Sequence, residues 1–425
     1  MKKTSILLII TFFCNQLIAQ TDSLVHSKFT TAQNRAKFYN GLINYSITKN
    51  LSLPLNDETE ENWQAAFNAM ELINYQQAWT KSTLRTAVDS MEKRSSFFQQ
   101  ALLEMLYSSE QLQYAKQVAH LLANTDNAKI FAICAEYLLL ADSSKKIIAV
   151  VKSIAIKKPI LFTGVKNLAI MLELFRHLDN LAKKTSYPAK VQLKALFNKN
   201  YLRGKVVVYS LQRKNRNYPG IVIVKDTAGN FIRNNDEKIF SLTQLARSLS
   251  NFPAYISNGN TPQGIYRLYG FGHSRSDFIG PTENIQLTMP YETSLAHFLC
   301  DSTITDTTWS KKWYGRLLPS TFNNYEPLYE TLYASEAGRT EIIAHGTAVD
   351  PEFYKAQSYY PYTPTAGCLT TKEIWDANGK RVISDQQKLA DVVKRAGGAN
   401  GYLIVLELDD RQKALTPEEI LPYLQ

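Results

Sequence analysis

The strongest constraint on the fold of this chain is a change of sequence pattern near residue 200. From about Leu24 to Ala195 glycine and proline are scarce, and apolar residues recur at spacings of three and four, as in amphipathic helices. Beyond this point come β-branched runs, Val206–Tyr209 and Ile221–Val224, separated by turns that contain Asn, Pro and Gly. We therefore expect an α+β, multidomain chain, with an all-α helical domain over residues 21–200 and a mostly β domain over residues 201–425.

Two segments show the helical pattern most clearly. Ser96–Tyr107 and Gln113–Leu122 are predicted to be consecutive amphipathic helices joined by a polar turn. Further polar turns at Thr125–Asn127 and Asp142–Ser144 separate more helices. Such pairs would suit a repeat array, but no fixed period recurs, so an irregular bundle and a repeat-like array both stay open.

The second half of the chain is expected to mix strands with a few helices. The pattern predicts strands at Gly264–Tyr269, Ile285–Met289, Glu341–His345 and Tyr402–Leu408, and helices at Thr371–Trp375 and Asp385–Arg395.

The first twenty residues have the pattern of a secretory signal. Lys2 and Lys3 precede an apolar run from Ile6 to Cys14, and a small residue, Ala19, follows. The run is shorter than the roughly 20 residues needed to cross a bilayer. We therefore predict a signal peptide over residues 1–20 and secretion to the periplasm or cell envelope.

The charge balance excludes some partners. The formal net charge is +10, but the basic residues are spread without a dense cluster or a nucleic-acid motif, so no nucleic acid partner is expected. A mildly basic surface suits an anionic cell envelope and equally suits an ordinary soluble protein. His120 and His177 lie in helical segments without neighbouring ligand residues, so neither a metal nor a cofactor is expected.

The most distinctive local pattern is His345-Gly346 followed, after a loop, by Thr365-Ala366-Gly367-Cys368. A thiol is a strong nucleophile only as thiolate, and a nearby imidazole is its usual activator. A glycine before the cysteine allows a tight turn, so the amides of Gly367 and Cys368 can face a developing oxyanion. We therefore predict Cys368 as nucleophile and His345 as base. The helix predicted at residues 371–375 would place an amide-rich helix start near the thiolate.

Two other cysteines would remain after signal removal. Cys134 lies in the helical segment Phe131–Tyr137 and is predicted to be an inert buried thiol. Cys300 follows His297 closely, but no glycine-lined turn accompanies it, so a structural role is favoured. An odd number of cysteines in an oxidising compartment leaves at least one unpaired.

These residues resemble the catalytic domain of the L,D-transpeptidases (the YkuD type), whose pattern is His-Gly, a loop, and Ser/Thr-x-Gly-Cys followed by a hydrophobic residue. Upstream, Ile256–Tyr266 is similar to the family's Thr-Pro-x-Gly-aromatic turn and strand, and Leu287–Tyr291 resembles the strand before its cap. The three segments occur in the family's order over roughly the last half of the chain. The pattern differs at Ala366, where the family often has His or Arg, and at Thr370, where it often has Arg or Asn.

The resemblance implies acyl transfer on peptidoglycan stem peptides. Cys368 would attack the carbonyl of the third residue, usually diaminopimelate, and expel the terminal D-alanine, with His345 acting as base and then as acid. Gly367 would supply an oxyanion donor, and Gly346 and Thr365 would lie beside the substrate. An amine from a neighbouring stem would then give a 3-3 cross-link. The resemblance also implies that no cofactor is needed and that carbapenem-type inhibitors acylate the thiol.

A long stretch rich in aromatic residues, about 292–338, interrupts the family segments. Loops of this length within a domain are usually functional lids or small subdomains, so we expect a cap over the cysteine cleft. Tyr291, Trp309 and Trp313 are predicted to contact substrate. Trp309 and Trp313 are four residues apart, and a helix would place both rings on one face. The alternative is that most of these aromatic rings form the core of the cap itself.

Two other functions stay open. If water instead of an amine resolves the thioester, the chain is an L,D-carboxypeptidase. A non-catalytic cell-wall binding or scaffold protein is a further alternative, with the helical domain contacting a protein partner; Ala366 and Thr370 favour it, whereas the presence of both His345 and Cys368 favours an enzyme.

Overall fold

The computed structural model describes residues 25–181 and 187–424. The predicted signal peptide over residues 1–20 lies outside the described residues. The described part is a mixed α+β structure in which helices are followed by a closed barrel with further helices around it. None of its helices is long and apolar enough to cross a membrane.

Nine α-helices precede the first strand among the described residues, and a π-helical segment, Leu42–Lys49, continues the first of them. The helices are α1 Ala32–Gly41, α2 Glu60–Leu72, α3 Thr80–Ser90, α4 Ser96–Ser108, α5 Ala115–Asn124, α6 Ala128–Ala141, α7 Lys145–Ile156, α8 Val165–Leu181 and α9 Lys190–Leu196. The later helices are α10 Leu295–Leu299, α11 Lys311–Gly315, α12 Glu330–Glu336 and α13 Asp385–Ala396.

Side-chain caps fix where several helices begin. Ser95 accepts a hydrogen bond from the Phe98 amide at the start of α4, and Asn127 caps α6 in the same way. Such caps satisfy amides that have no partner within the helix. The two helices predicted at residues 96–107 and 113–122 are confirmed as α4 and α5. Nearly every residue of α6 is buried, so this helix lies at the centre of the helical core.

The strands are β1 Val206–Arg213, β2 Gly220–Lys225, β3 Ser241–Leu245, β4 Gly264–Gly272, β5 Asn284–Thr288, β6 Ile343–His345, β7 Leu369–Thr371, β8 Glu373–Trp375, β9 Arg381–Ser384 and β10 Gly401–Asp409. Eight of them close a barrel in the order β1-β10-β4-β5-β6-β7-β3-β2, and β8 and β9 form a separate hairpin. The β1–β10 and β6–β7 pairs are parallel, and the other barrel pairs are antiparallel.

Both faces of the central strands are buried, which explains their continuous apolar runs. Alternate residues of β1, such as Val206 and Val208, join a core that includes side chains of α13. The intervening residues, such as Val207 and Tyr209, join a second core that includes side chains from α10, α11 and α12. The barrel is therefore packed on one face by α13 and on the other by the segment between β5 and β6.

The long loop between β3 and β4 joins the helices to the barrel. Its residues Phe252, Tyr255 and Ile256 are buried in the same core as the helices before β1. The Phe252 ring stacks on Tyr107 of α4 with 4.0 Å between centroids, and the Tyr255 hydroxyl donates to Glu136 of α6. The β3–β4 loop thus anchors the barrel to the hydrophobic core of the helices.

Most of the predicted elements of the second half are confirmed, but one is wrong. The predicted strands correspond to β1, β2, β4, β5, β6 and β10, and the second predicted helix corresponds to α13. The helix predicted over Thr371–Trp375 is absent: β7 pairs with β3 and β6, and β8 pairs with β9. Thr, Ile and Trp in this segment favour strands, and pairing on neighbouring strands outweighs the helical preference of Lys372 and Glu373. No helix start therefore adjoins Cys368.

Candidate active site

Cys368 lies on the loop immediately before β7. The residue is half-buried, and its Sγ contacts the carbonyl oxygen of Glu341 at 3.7 Å. Burial raises the pKa of this thiol, while a hydrogen bond from the Ile343 amide and the charge of Arg339 act in the opposite direction. The thiol is therefore protonated in the resting structure at neutral pH, and a base must remove its proton before sulfur can attack.

The parallel pairing of β6 with β7 relates Cys368 to His345. Ala344 is opposite Leu369 and His345 is opposite Thr370. Ala344 and Leu369 both point into the barrel core, so the alternation of side chains along a strand puts His345 and Cys368 on the other face. Diagonal neighbours on adjacent strands have Cα atoms about 7–8 Å apart. This spacing suits a cysteine–histidine pair, although the thiol bonds to Glu341 O here and not to the imidazole.

His345 is buried and held in one tautomer. Its Nδ1 contacts the carbonyl oxygen of Gly346, which can only accept, so Nδ1 carries the proton. Nε2 is then the unprotonated nitrogen. Burial lowers the pKa of His345 to about 4, so the ring is neutral at neutral pH. The arrangement fits a general base that receives the thiol proton, and it does not fit a preformed imidazolium–thiolate pair.

Gly346 is required because the Glu373 carboxyl group lies against it. A side-chain carbon at residue 346 would lie 2.2 Å from the Glu373 carboxyl carbon. Glu373 is buried at the start of β8, accepts a hydrogen bond from Ser384, and has its pKa raised to about 7 by burial. The hairpin β8–β9 therefore supports the turn whose carbonyl orients His345.

The turn before the nucleophile also depends on glycine. Gly367 has φ +115°, a conformation that residues with a side chain rarely adopt. An added carbon would lie 2.3 Å from Arg339 Nη2 and 2.6 Å from Gly259 O. The Thr261 hydroxyl donates to Gly367 O at 2.8 Å. The Thr-Pro-x-Gly segment identified in the sequence thus contacts the Gly-Cys turn directly.

Thr365 makes two hydrogen bonds within the same turn, and one of them occupies the Gly367 amide, a predicted oxyanion donor. Its Oγ1 accepts from the Gly367 amide at 3.1 Å and donates to Cys368 O at 3.2 Å. The Gly367 amide would therefore have to leave Thr365 to bind an oxyanion. Thr370, one of the departures from the family pattern, donates to Thr363 O at 2.9 Å and so ties β7 to this loop.

The two tryptophans do not share the helical face that their spacing of four residues would give within a helix. Helix α11 begins after the capping residue Ser310, so Trp309 precedes the helix and does not share a helical face with Trp313. The Trp309 indole donates to Thr293 O at 3.2 Å, and the Trp313 indole donates to Asp306 at 2.9 Å. The rings therefore have separate partners, and neither stacks on nor hydrogen-bonds to the Cys368 loop.

Tyr291, the remaining predicted substrate residue, follows β5 and keeps part of its ring exposed. Its relative exposure is 39%, and its ring lies 6.0 Å from that of Trp309. The rings of Tyr314, Phe322 and Tyr329 nearby are fully buried, in accordance with the alternative that most aromatics of this segment form a core.

The other two cysteines lie apart from the candidate site. All three cysteines of the described residues are free. Cys134 is buried in the helical core, and burial raises its thiol pKa. Cys300 is exposed at the end of α10 and accepts a hydrogen bond from the Tyr402 hydroxyl at 3.5 Å.

Sequence reasoning missed two residues of the site, Arg339 and Glu373. Arg339 follows the last helix before β6, and Glu373 lies in the segment wrongly predicted to be helical. No local pattern marks either residue, because each meets the site only through the pairing of distant strands. Comparisons of the chain with protein-family models, with curated proteins and with solved structures gave no match.

Proposed function

We propose that this chain is a cysteine acyltransferase that acts on peptidoglycan stem peptides, as an L,D-transpeptidase that forms 3-3 cross-links. The observation that carries the proposal is the parallel β6–β7 pair, which puts His345 of β6 and Cys368, the residue just before β7, on the same face of the sheet. The contact of His345 Nδ1 with Gly346 O adds support, because it leaves Nε2 free to act as a base. The resemblance of the sequence segments to the family supplies the substrate class.

In the proposed acylation step His345 Nε2 takes the proton of the Cys368 thiol. The sulfur forms a bond to the carbonyl carbon of the third stem residue, and the carbonyl electron pair moves to oxygen. Collapse of this intermediate breaks the carbon–nitrogen bond, and His345 returns the proton to the nitrogen of the departing D-alanine. The product is a thioester on Cys368.

The second step restores the enzyme. An amine of a neighbouring stem attacks the thioester carbon, His345 takes the proton of that amine, and the carbon–sulfur bond breaks. The proton then returns to the sulfur of Cys368. The sum is an exchange of one amide bond for another, so the proposed reaction needs no oxidant or reductant.

We assign the surrounding segments on the same basis. Residues 21–200 are proposed as the helical domain and residues of about 292–338 as the cap, with the protein acting in the periplasm or cell envelope. Tyr291 is the ring of this region that we place against substrate, because it stays partly exposed beside buried aromatic residues. Support for the cap comes from the way this segment packs on the outer face of the barrel.

The experiment is turnover of disaccharide-tetrapeptide stems by the purified protein, with products identified by mass spectrometry. The proposal predicts 3-3 linked dimers and released D-alanine, loss of both in Cys368→Ala, and retention of both in Cys300→Ser. Cys300 is a matched control because it is an exposed thiol close to a histidine, His297. Tripeptide without dimer would identify a carboxypeptidase. Activity that survives in Cys368→Ala, or a folded wild-type protein with no turnover, would contradict the proposal.

A further inference from the structure

Arg339 is a buried cation beside the nucleophile. Its side chain is 4% exposed, and the guanidinium donates to Ala254 O at 2.9 Å, to Ile256 O at 2.5 Å and to Gly259 O at 3.0 Å. All three acceptors are carbonyl oxygens of the β3–β4 loop. These bonds fix the guanidinium firmly, but they leave its positive charge without a counter-charge.

Buried charges are normally paired with an opposite charge, because removal from water is costly. Among the described residues no carboxylate lies within ion-pair distance of Arg339, and the ionisable groups that face it are Tyr266 and Cys368. The Tyr266 hydroxyl already donates to Pro262 O at 2.8 Å, and burial keeps the pKa of that phenol far above neutrality. The Cys368 thiol is therefore the group near Arg339 that can become an anion during a reaction.

The geometry of the Gly-Cys turn puts the guanidinium against the residue that precedes the nucleophile. Nη2 of Arg339 occupies the space where a side chain of Gly367 would begin, since a carbon there would lie 2.3 Å from it. Cys368 is the next residue. Cys368 Sγ also lies 3.7 Å from Glu341 O, and the exposed Glu341 carboxylate places a negative charge nearby. The sulfur is thus subject to the charges of a fixed buried cation and of an anion in solvent.

We propose that Arg339 is the charge partner of Cys368: its buried guanidinium stabilises the thiolate that forms when the proton leaves, and the carboxylate of Glu341 partly offsets this effect. The inference rests on the proposed role of Cys368 as nucleophile. Arg339 acts as a positioning residue, through the electrostatic state of the sulfur and through the shape of the turn. A cation in a site shielded from water acts more strongly on a neighbouring anion than one in solvent.

The charges pull the pKa of Cys368 in opposite directions. The positive charge of Arg339 lowers it, and the negative charge of Glu341 raises it, on top of the larger upward effect of burial. His345, which faces the same side of the sheet, is neutral above about pH 4 and adds no charge at neutral pH. Removal of one or the other charge should therefore move the ionisation of the thiol in opposite directions.

The test is the rate of alkylation of Cys368 by iodoacetamide as a function of pH, measured in a Cys300→Ser background with the labelled site identified by mass spectrometry. In Arg339→Gln the midpoint of the profile should rise by about one pH unit, with alkylation at pH 7 about threefold slower, because a more basic thiol is also more nucleophilic. In Arg339→Lys the midpoint should stay closer to that of the wild type. In Glu341→Gln the midpoint should fall.

Glu341→Gln also protects the test against misfolding, since the residue is exposed and its replacement leaves the core unchanged. An unchanged midpoint in either Arg339→Gln or Glu341→Gln, with the fold verified by circular dichroism, overturns the inference. If Arg339→Gln does not fold, Glu341→Gln decides alone. Alkylation does not depend on peptide transfer. If the variants shift the alkylation profile as expected but the wild-type protein does not turn over stem peptides, the role of Arg339 as charge partner stands and the proposed function is rejected.

Discussion

At the scale of single residues, the site is built from an uncharged thiol and an uncharged imidazole. Burial raises the pKa of Cys368 and lowers the pKa of His345 to about 4, so neither group is ionised at rest near neutrality. The proton must then move when substrate is bound, and until then the protonated thiol is protected from unselective oxidation and alkylation. The orientation of His345 depends on Gly346 O, and the position of Gly346 depends on the buried carboxyl group of Glu373.

Replacement of Gly346 by alanine adds only one methyl group, but it should lower the catalytic rate strongly. The new methyl carbon would lie 2.2 Å from the Glu373 carboxyl carbon, well inside van der Waals contact, so that carboxyl group would have to move. Such overpacking costs roughly 1–3 kcal/mol in the free energy of unfolding. We expect stem-peptide turnover to fall at least about tenfold, because a displaced turn misorients His345. Gly270→Ala is the matched control, since nothing lies within 4 Å of a side-chain carbon at that residue. Equal activities for the two variants would show that Glu373 does not constrain the turn.

At the scale of elements, the β3–β4 loop holds the site together. It carries the acceptors of Arg339, the hydroxyl of Thr261 that bonds to Gly367 O, and the ring of Phe252 that stacks on α4. A change in the packing of this loop on the helices should therefore reach Cys368 through Gly259 and Thr261.

Phe252→Ala tests this connection. Loss of a fully buried phenylalanine is expected to reduce the free energy of unfolding by about 3–5 kcal/mol. At a temperature where the variant is still folded, we also expect slower alkylation of Cys368, because the loop no longer holds the Gly-Cys turn. Phe97→Ala serves as the control, since Phe97 is 74% exposed and should change stability by no more than about 0.5 kcal/mol. Wild-type alkylation in folded Phe252→Ala would show that the loop and the site are independent.

The sequence predicted individual helices and strands better than it predicted which of them pair or pack together. Periodicity located α4, α5, α13 and six strands, because each has a regular apolar pattern. It failed at residues 371–375, where pairing with distant strands decides the structure.

The same limit applies to the site. The His-Gly and Gly-Cys motifs are local and could be identified, whereas Arg339 and Glu373 approach them only after the barrel closes. The prediction that Trp309 and Trp313 share one face was wrong because a spacing of four residues aligns side chains only within a helix, and α11 begins between the two residues.

At the scale of the whole molecule, several carboxyl groups of the helices and of the barrel half are shielded from water. Burial raises the pKa of Glu71 to about 8 and of Glu330 to about 7, as it does for Glu373. Each of these groups holds its proton in the folded chain at a pH where the unfolded chain has lost it. Folding therefore binds protons, and stability falls as pH rises from about 4.5 through these pKa values.

The melting temperature should accordingly be lower at pH 8 than at pH 6.5, by about 2–4 °C for each kcal/mol lost. His345, whose pKa is lowered, makes stability rise with pH, but only up to about pH 6.5, where the histidine of the unfolded chain has also lost its proton. A Glu71→Gln, Glu330→Gln double variant should flatten this dependence, and Glu61→Gln, at an exposed residue of α2, should leave it unchanged. Scanning calorimetry at the two pH values decides the matter; a wild-type melting temperature that rises with pH over this interval would contradict the assignment of protonated buried carboxyl groups.

We propose that Cys368 forms a covalent acyl intermediate with the help of His345. Acylation of the thiol by a carbapenem would be detected directly as an increase in the intact mass of the protein. We expect one adduct per chain, mapped to Cys368 by peptide analysis. It should be absent in Cys368→Ala, much slower to form in His345→Gln and unchanged in Cys300→Ser. No adduct on a folded wild-type protein, or an adduct on Cys300 with Cys368 unmodified, would contradict it.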